Sequence, residues 1–244
     1  MSGSPRPHPA IRARLEAVAT MIPHGSRVGD VGSDHGRLPR MLVASGRSSW
    51  CVATEHGDGP ERRLRTNVEG SPEADRIEVR RGDGLDPLRP EDDLDVIVLS
   101  GMGGPVMLRI LRSSRLAEVS PRLLVLQPQS GWAGLRAGLA ELGRGVQAER
   151  LVEDRGRFYT VMLAGTTGTE DRPPAGFSPR EWFDVGPSLA RDGDPLAVAY
   201  WTRRLDRARR RLETAQGGGI SVARSECDLA ERALALFSSR PAPC

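Results

Sequence analysis

From Arg27 to about Gly165 the chain alternates short apolar runs with stretches of helical period, and no other feature of its 244 residues restricts the fold as much. The predicted strands are 27–31, 50–54, 76–80, 94–99, 122–127, 145–152 and 158–164. Helices are predicted at 37–45, 59–70, 104–111 and 132–142, while a Pro- and Asp-rich stretch joins the third strand to the fourth. Strand–helix–strand alternation predicts an α/β fold, with a mostly parallel sheet covered by helices on both faces. Only Glu153–Arg157 separates the last two strands, so they should form a hairpin and give the sheet an antiparallel edge.

Outside this block, Ile11–Ile22 has helical spacing of its apolar residues and stops at Pro23, His24 and Gly25. Met1–Pro9 reads as a frayed tail. Gly165–Gly176 reads as a linker. Two helices should follow it and pair as a narrow antiparallel hairpin. One seam would be Val198, Trp201, Leu205, Ala208, Leu212 and Ala215, and the other Ile220, Ala223, Cys227, Ala230, Leu234 and Phe237. The expected division is residues 1–170 for the α/β unit and 171–244 for the helical unit.

Composition excludes several classes. Hydrophobic residues at 38% and charged residues at 27% fit a folded, soluble chain rather than a disordered one. No apolar run reaches the roughly 20 residues of a membrane span, and MSGSPRPHP lacks the apolar core of a secretory signal, so a cytoplasmic location is expected. Cys51, Cys227 and Cys244 are far apart and suggest neither a disulfide framework nor a metal site. Every one of the 35 basic residues is arginine, which leaves a surface of guanidinium groups able to grip phosphate in pairs of hydrogen bonds.

Four motifs fall at strand ends, where a doubly wound sheet binds nucleotides. The first is Asp30-Val31-Gly32-Ser33-Asp34-His35-Gly36. Asp30, Gly32 and Gly36 fit the acid and glycines of a methyltransferase loop, with Asp34 where a middle glycine is usual. A carboxylate there would repel the pyrophosphate of a dinucleotide and would suit the cationic S-adenosyl-L-methionine. Asp30, Gly32, Ser33 and His35 are therefore expected at the cofactor. Glu55, ending the second strand, is placed to accept both ribose hydroxyls. In Gly82-Asp83-Gly84-Leu85, Asp83 and Gly84 could hold the adenine amino group; an ordinary Asp-Gly turn explains them equally well. Ser100-Gly101-Met102-Gly103-Gly104 lacks the acid or Asn followed by prolines that grips a target amine. It predicts an open rim with Met102 against a ring face, or simply a glycine turn before a helix.

These motifs together resemble one family. "RVGDVGSDHGRLP" (27–39), Gly82–Leu85, "LSGMGG" (99–104) and Leu126-Gln127-Pro128-Gln129 are similar to the bacterial tRNA (adenine-N1)-methyltransferases known as TrmK. "RLVEDRGRFYTVMLA" (150–164) and "FDVGPSL" (183–189) extend the resemblance, which runs from about Ile11 to Gln216. Departures are Thr54-Glu55-His56 before Gly59-Pro60, where the family tends to have Gly-Glu-Val, and Gln129 where it often has Asn. The resemblance implies a class I Rossmann-like methyltransferase sheet with a C-terminal helical domain, S-adenosyl-L-methionine as cofactor, and tRNA adenosine 22 as substrate. A monomer acting without metal or membrane is expected.

N1 of neutral adenine carries a lone pair and no proton, so methylation needs no general base. The ring becomes cationic, and Asp34 is the carboxylate expected to stabilise that charge. Arg203, Arg204, Arg207, Arg209, Arg210 and Arg211 crowd one predicted helix against only Asp206 and Glu213. None lies on its seam, so all should face solvent or phosphate. Arg203, Arg204, Arg207, Arg210 and Arg211 are the candidate RNA contacts, against the plain alternative of a solvated face. No aromatic residues interleave them to stack single-stranded bases. The rival readings are a small-molecule or protein methyltransferase, and a catalytically silent RNA-binding protein.

Overall fold

The computed structural model describes residues 9–166 and 172–239, with side chains from residue 13 onward. Residues 1–8 of the expected tail and residues 167–171 of the expected linker lie outside the described residues.

The sheet has seven strands in the order β3-β2-β1-β4-β5-β7-β6. They are β1 (Ser26–Val31), β2 (Ser48–Glu55), β3 (Ile77–Arg81), β4 (Val96–Met102), β5 (Leu123–Pro128), β6 (Gly145–Asp154) and β7 (Arg157–Gly165). The first five pair in parallel, and β7 runs antiparallel to both β5 and β6. This is the expected class I Rossmann-like methyltransferase sheet. The hairpin turn is tighter than expected. Asp154 pairs with Arg157, and the two residues between them, Arg155 and Gly156, both have positive φ (50° and 71°). That backbone matches the twist of the flanking strands.

Helices α1 (Pro9–Thr20), α2 (Arg37–Ala44), α3 (Asp58–Glu69), α4 (Gly104–Leu111), α5 (Arg115–Val119) and α6 (Trp132–Glu141) flank the sheet. Strand alternation divides the core in two. Val28, Val96, Val98 and Val125 face Val18, Ile22, Leu42 and Leu64 on one side. Ile97, Leu99, Leu124 and Leu126 face Met107, Leu111, Leu135 and Leu139 on the other.

Among the described residues the C-terminal part has four helices rather than two: α7 (Pro179–Val185), α8 (Pro187–Asp192), α9 (Ala197–Thr214) and α10 (Gly218–Ser238). The first two are too short to show a period; α7 is instead marked by its capping box, Ser178 with Glu181. Gly186 joins them at φ +91°, and a Cβ there would lie 2.9 Å from the Arg136 guanidinium. This is the physical content of the Gly-Pro in "FDVGPSL". Arg136 forms a buried pair with Glu149 (2.6 Å; 2% and 0% exposed) and donates to the Phe183 carbonyl at 2.5 Å, which ties α7 to α6 and β6. Helices α9 and α10 pack together through Trp201, Leu205, Ala208, Cys227, Ala230, Ala233 and Phe237. The expected seam is wrong at both ends. Val198 is 42% and Ile220 36% exposed, because Ala197 takes the buried position at the start of α9 and α10 first meets its partner at Ala223.

Candidate active site and its neighbouring cleft

Strand order reverses direction between β1 and β4, and the carboxyl ends of these strands open a crevice there. A cleft of about 380 Å³ occupies it, lined by Asp30, Gly32, Ser33, Asp34, His35, Ser100 and Gly101 among the expected residues. The first loop is shaped by its backbone. Gly32 and Ser33 both donate to the Thr54 carbonyl at 3.0 Å, and Gly36 donates to the Ser33 carbonyl. Gly32, Asp34 and Gly36 have φ of 79°, 52° and 68°, a region glycine enters freely and Asp tolerates. Glu55 holds the loop from β2, its carboxylate accepting the Asp34 backbone N–H at 2.6 Å.

Asp30 lies on the floor, 3% exposed. Burial raises its pKa to about 7; the nearby Ser33 side chain opposes the rise and the Glu55 charge adds to it, the Ser33 hydroxyl itself donating to the Asp30 backbone carbonyl at 2.9 Å. Asp34 is its opposite, at the rim with its side chain 71% exposed and 3.7 Å from His35 Nε2. His35 does not cap α2, whose N-cap is Gly36.

The second loop differs from expectation. Ser100, Gly101 and Met102 belong to β4 rather than to a turn, with an irregularity in the pairing between Ser100 and Met102 and Gly101 at φ +80°. The Met102 methyl would sit 3.3 Å from a Cβ on Gly32, so the two loops touch. Gly103 and Gly104 start α4 against the next loop. Gly104 donates to the Ser130 carbonyl, and a Cβ on it would meet the Gly131 carbonyl at 2.7 Å. Gln129 donates to the Met102 carbonyl.

Of the expected cofactor residues, Glu55, Asp83, Gly84, Met102 and Gly103 do not line the cleft itself. The loop of Asp83 and Gly84 is tied to the end of β2 by Gly82 donating to the Glu55 carbonyl, while Asp83 meets Arg109 at 3.4 Å in solvent. Arg14, Leu15, Arg37, Leu38, Gln127 and Gln129 complete the lining; the sequence marked Arg37, Leu38, Gln127 and Gln129 only as parts of the family-like segments, and Arg14 and Leu15 not at all. Gln127 and Gln129 sit at the carboxyl end of β5, a position that could have marked them. Arg14 had no such signal, because only packing brings α1 over the strand ends. Among the described residues no group of His, Cys, Asp and Glu could hold a metal ion, and no helix is long and apolar enough to cross a membrane.

The α9 arginines do not all face solvent free of partners. Arg204 grips Asp184 of α7 through two hydrogen bonds, at 2.9 and 2.8 Å, and lies over the Trp201 ring. Burial disfavours its charge, but the Asp184 contact outweighs this and its pKa lies above the ordinary value. Arg203 pairs with Glu153 and covers Phe158. Arg209 and Arg211 reach Glu231 and Glu226 of α10. Arg207 and Arg210 have no partner among the described residues.

Nor does the arginine face lack aromatic rings. Trp132 of α6 and Tyr200 of α9 stack with centroids 5.3 Å apart, and Phe158 of β7 meets Tyr200 edge-on. These rings and Arg157, Arg203, Arg204 and Arg207 line a second cleft of about 480 Å³, which shares Gln129 with the first.

Residues 11–162 match the family described as "Methyltransferase domain". The chain is 33% identical over 192 residues to the tRNA (adenine(22)-N(1))-methyltransferase of Bacillus subtilis, covering 79% of this chain and 80% of that one. This chain belongs to the TrmK family of tRNA (adenine-N1)-methyltransferases. The crystal structure of the B. subtilis m1A22 tRNA methyltransferase TrmK superposes with a TM-score of 0.78 at 28% identity, covering 91% of this chain and 97% of that one. Streptococcus pneumoniae Sp1610 in complex with S-adenosyl-L-methionine gives 0.79 at 30%, covering 91% and 98%. Of the segments that carry the TrmK resemblance, those at the ends of β1, β4 and β5 contribute to the first cleft, whereas Gly82–Leu85 does not.

Proposed function

We propose that this TrmK-family protein transfers the methyl group of S-adenosyl-L-methionine to N1 of adenosine 22 in tRNA. The observation that carries the reading is the convergence of "GSDHG", "SGMGG" and "QPQ" on one cleft at the β1/β4 switch point, in a chain whose B. subtilis relative has that activity.

The residues present suit the cofactor. A buried carboxyl whose help comes from the nearby Ser33 side chain is poorly compensated until a cation arrives, and the ammonium and sulfonium of S-adenosyl-L-methionine are cations. Arg14, on the same wall, would meet its carboxylate. Glu55 would accept the ribose hydroxyls, since one oxygen is taken by Asp34 and the other has no partner among the described residues. Asp83 and Gly84, tied beside Glu55, would flank the adenine end. Gly32, Ser33, His35 and Gly101 would form the walls, with Gly103 and Met102 beyond the rim toward the incoming ring.

When bound, the cofactor supplies an electrophilic methyl group. The chain's own part is to align N1 with it and to receive the charge that develops on the adenine. Asp34 is the carboxylate for that role. Its rim position screens it with water, so its effect grows once tRNA covers the cleft. Ser100 and Gln129 would orient the base. Residues 171–244 would supply a tRNA-binding unit through the α9 arginines, Arg207 and Arg210 foremost and Arg203, Arg204 and Arg211 beside them. We place the reaction in the cytoplasm, by a monomer.

The test is methyl transfer to a purified tRNA transcript, with nucleoside mass spectrometry of the product. The expected product is 1-methyladenosine at position 22. Methylation of protein or small-molecule acceptors instead, or tRNA binding without transfer, overturns the proposal. In single turnover at saturating cofactor, Asp34→Asn should slow transfer by about tenfold to a hundredfold. A near-normal rate would leave Asp34 a turn residue.

A further inference from the structure

We infer that the second cleft, between the β6–β7 turn, α6 and α9, holds one nucleotide adjacent to the methylated adenosine. Its base would lie against the Trp132, Tyr200 and Phe158 wall, and its phosphate against Arg157 and Arg207. The inference rests on the tRNA reading above and adds a site to it.

Three observations carry it. The first is chemistry: three rings from three different elements meet beside guanidinium groups, and single-stranded RNA is held by base-on-ring contact together with phosphate pairing. The second is charge. Asp184 and Glu153 compensate Arg204 and Arg203, whereas Arg157 and Arg207 have no acidic partner among the described residues, so the cleft keeps positive charge for a phosphate. Its volume of about 480 Å³ lies in the range of small-ligand sites. The third is continuity. Gln129 lines both clefts, so a strand lying in one passes directly into the other.

The mechanical role follows. Adenine inside a paired or stacked region cannot reach a methyl group at the bottom of a crevice, and enzymes acting on bases draw the target out of the stack. A neighbour held on the Trp132–Tyr200–Phe158 wall offsets part of that unstacking cost and fixes the strand's register. The sequence of α9 alone hides this, because Trp132 and Phe158 are far from it along the chain.

The test uses the full chain, saturating S-adenosyl-L-methionine, and three tRNA transcripts: intact, abasic on the 5′ side of the methylated adenosine, and abasic on its 3′ side. For the unaltered protein one of the two abasic tRNAs should lose about tenfold in kcat/KM, the scale of one base–ring contact. Phe158→Ala should lose about tenfold on intact tRNA and be nearly indifferent to that same abasic change. Penalties that multiply, or an unaltered protein indifferent to both abasic sites, overturn the inference.

Arg157→Gln with Arg207→Gln keeps the test decisive should Phe158→Ala fold poorly, since both side chains are exposed. KM for tRNA should rise about tenfold, with kcat within about twofold and cofactor affinity unchanged; an unaltered KM refutes the phosphate contact. Unaltered protein that methylates intact tRNA while every variant and abasic substrate behaves normally removes the pocket and leaves the proposed function standing. Unaltered protein that fails on intact tRNA removes both.

Discussion

Replacing Asp30 by Asn should make the ligand-free protein more stable, and increasingly so as pH rises. The carboxyl is buried at the cleft floor, and its pKa is raised from 3.8 to about 7, chiefly by burial. A raised folded pKa means that the native state holds a proton the unfolded chain releases. The stability difference against Asn is therefore unaffected by ionisation below about pH 3.8, falls as pH climbs, and levels off above about pH 7. The full separation corresponds to roughly 4 kcal/mol. Between about pH 5 and about pH 8 the gap between Asp30→Asn and the native protein should widen by roughly 2–3 kcal/mol. Titrating groups remote from Asp30 act on both proteins alike and cancel, whereas Glu55 and Cys51, whose charges couple to it, do not cancel fully. Urea unfolding of both proteins without ligand at the two pH values measures it. A gap constant within about 0.5 kcal/mol, or one that narrows with pH, would refute a poorly compensated carboxyl. The same substitution should weaken S-adenosyl-L-methionine binding if, as proposed, the Asp30 carboxylate faces the cationic ligand, since stability and ligand affinity then oppose each other. In the native protein that affinity should rise with pH as Asp30 ionises.

Glu55→Ala should weaken S-adenosyl-L-methionine binding by about tenfold or more, through two lost ribose hydrogen bonds and through a loop whose Asp34 N–H loses its acceptor; calorimetry reads it, and unchanged affinity would reject the assignment. Arg207→Gln with Arg210→Gln should weaken tRNA binding and flatten its salt dependence by about 1.5 to 2 in log–log slope, whereas an unaltered slope would return α9 to a solvated face. Gly104→Ala should destabilise the fold by about 1–3 kcal/mol, because its Cβ would press on the Gly131 and Ser130 carbonyls at 2.7 and 3.0 Å; a melting temperature equal to that of the native protein would show that the β4 and β5 loops can separate freely.

The sequence by itself determined the sheet and the loops that line the candidate cleft. All seven strands, the antiparallel hairpin, and the acids at the ends of β1 and β2 follow from periodicity and turn chemistry, which are local and act within a few residues. Asp30 and Asp34 were both visible as carboxylates. Only the fold made one a buried group with a displaced pKa and the other a solvated rim residue, because burial depends on what packs around a side chain. For the same reason Arg14 enters the cleft without any mark in its own segment, and α7 and α8 escape a period search because neither is two full turns long. On α9, spacing distinguished seam from surface through most of the helix. It could not tell Arg204, held by Asp184, from Arg207, which is unpartnered, because an ion pair is decided by residues brought from elsewhere in the chain. The Trp132–Tyr200–Phe158 wall is the clearest case: three rings scattered along the sequence become one surface only when α6, β7 and α9 meet.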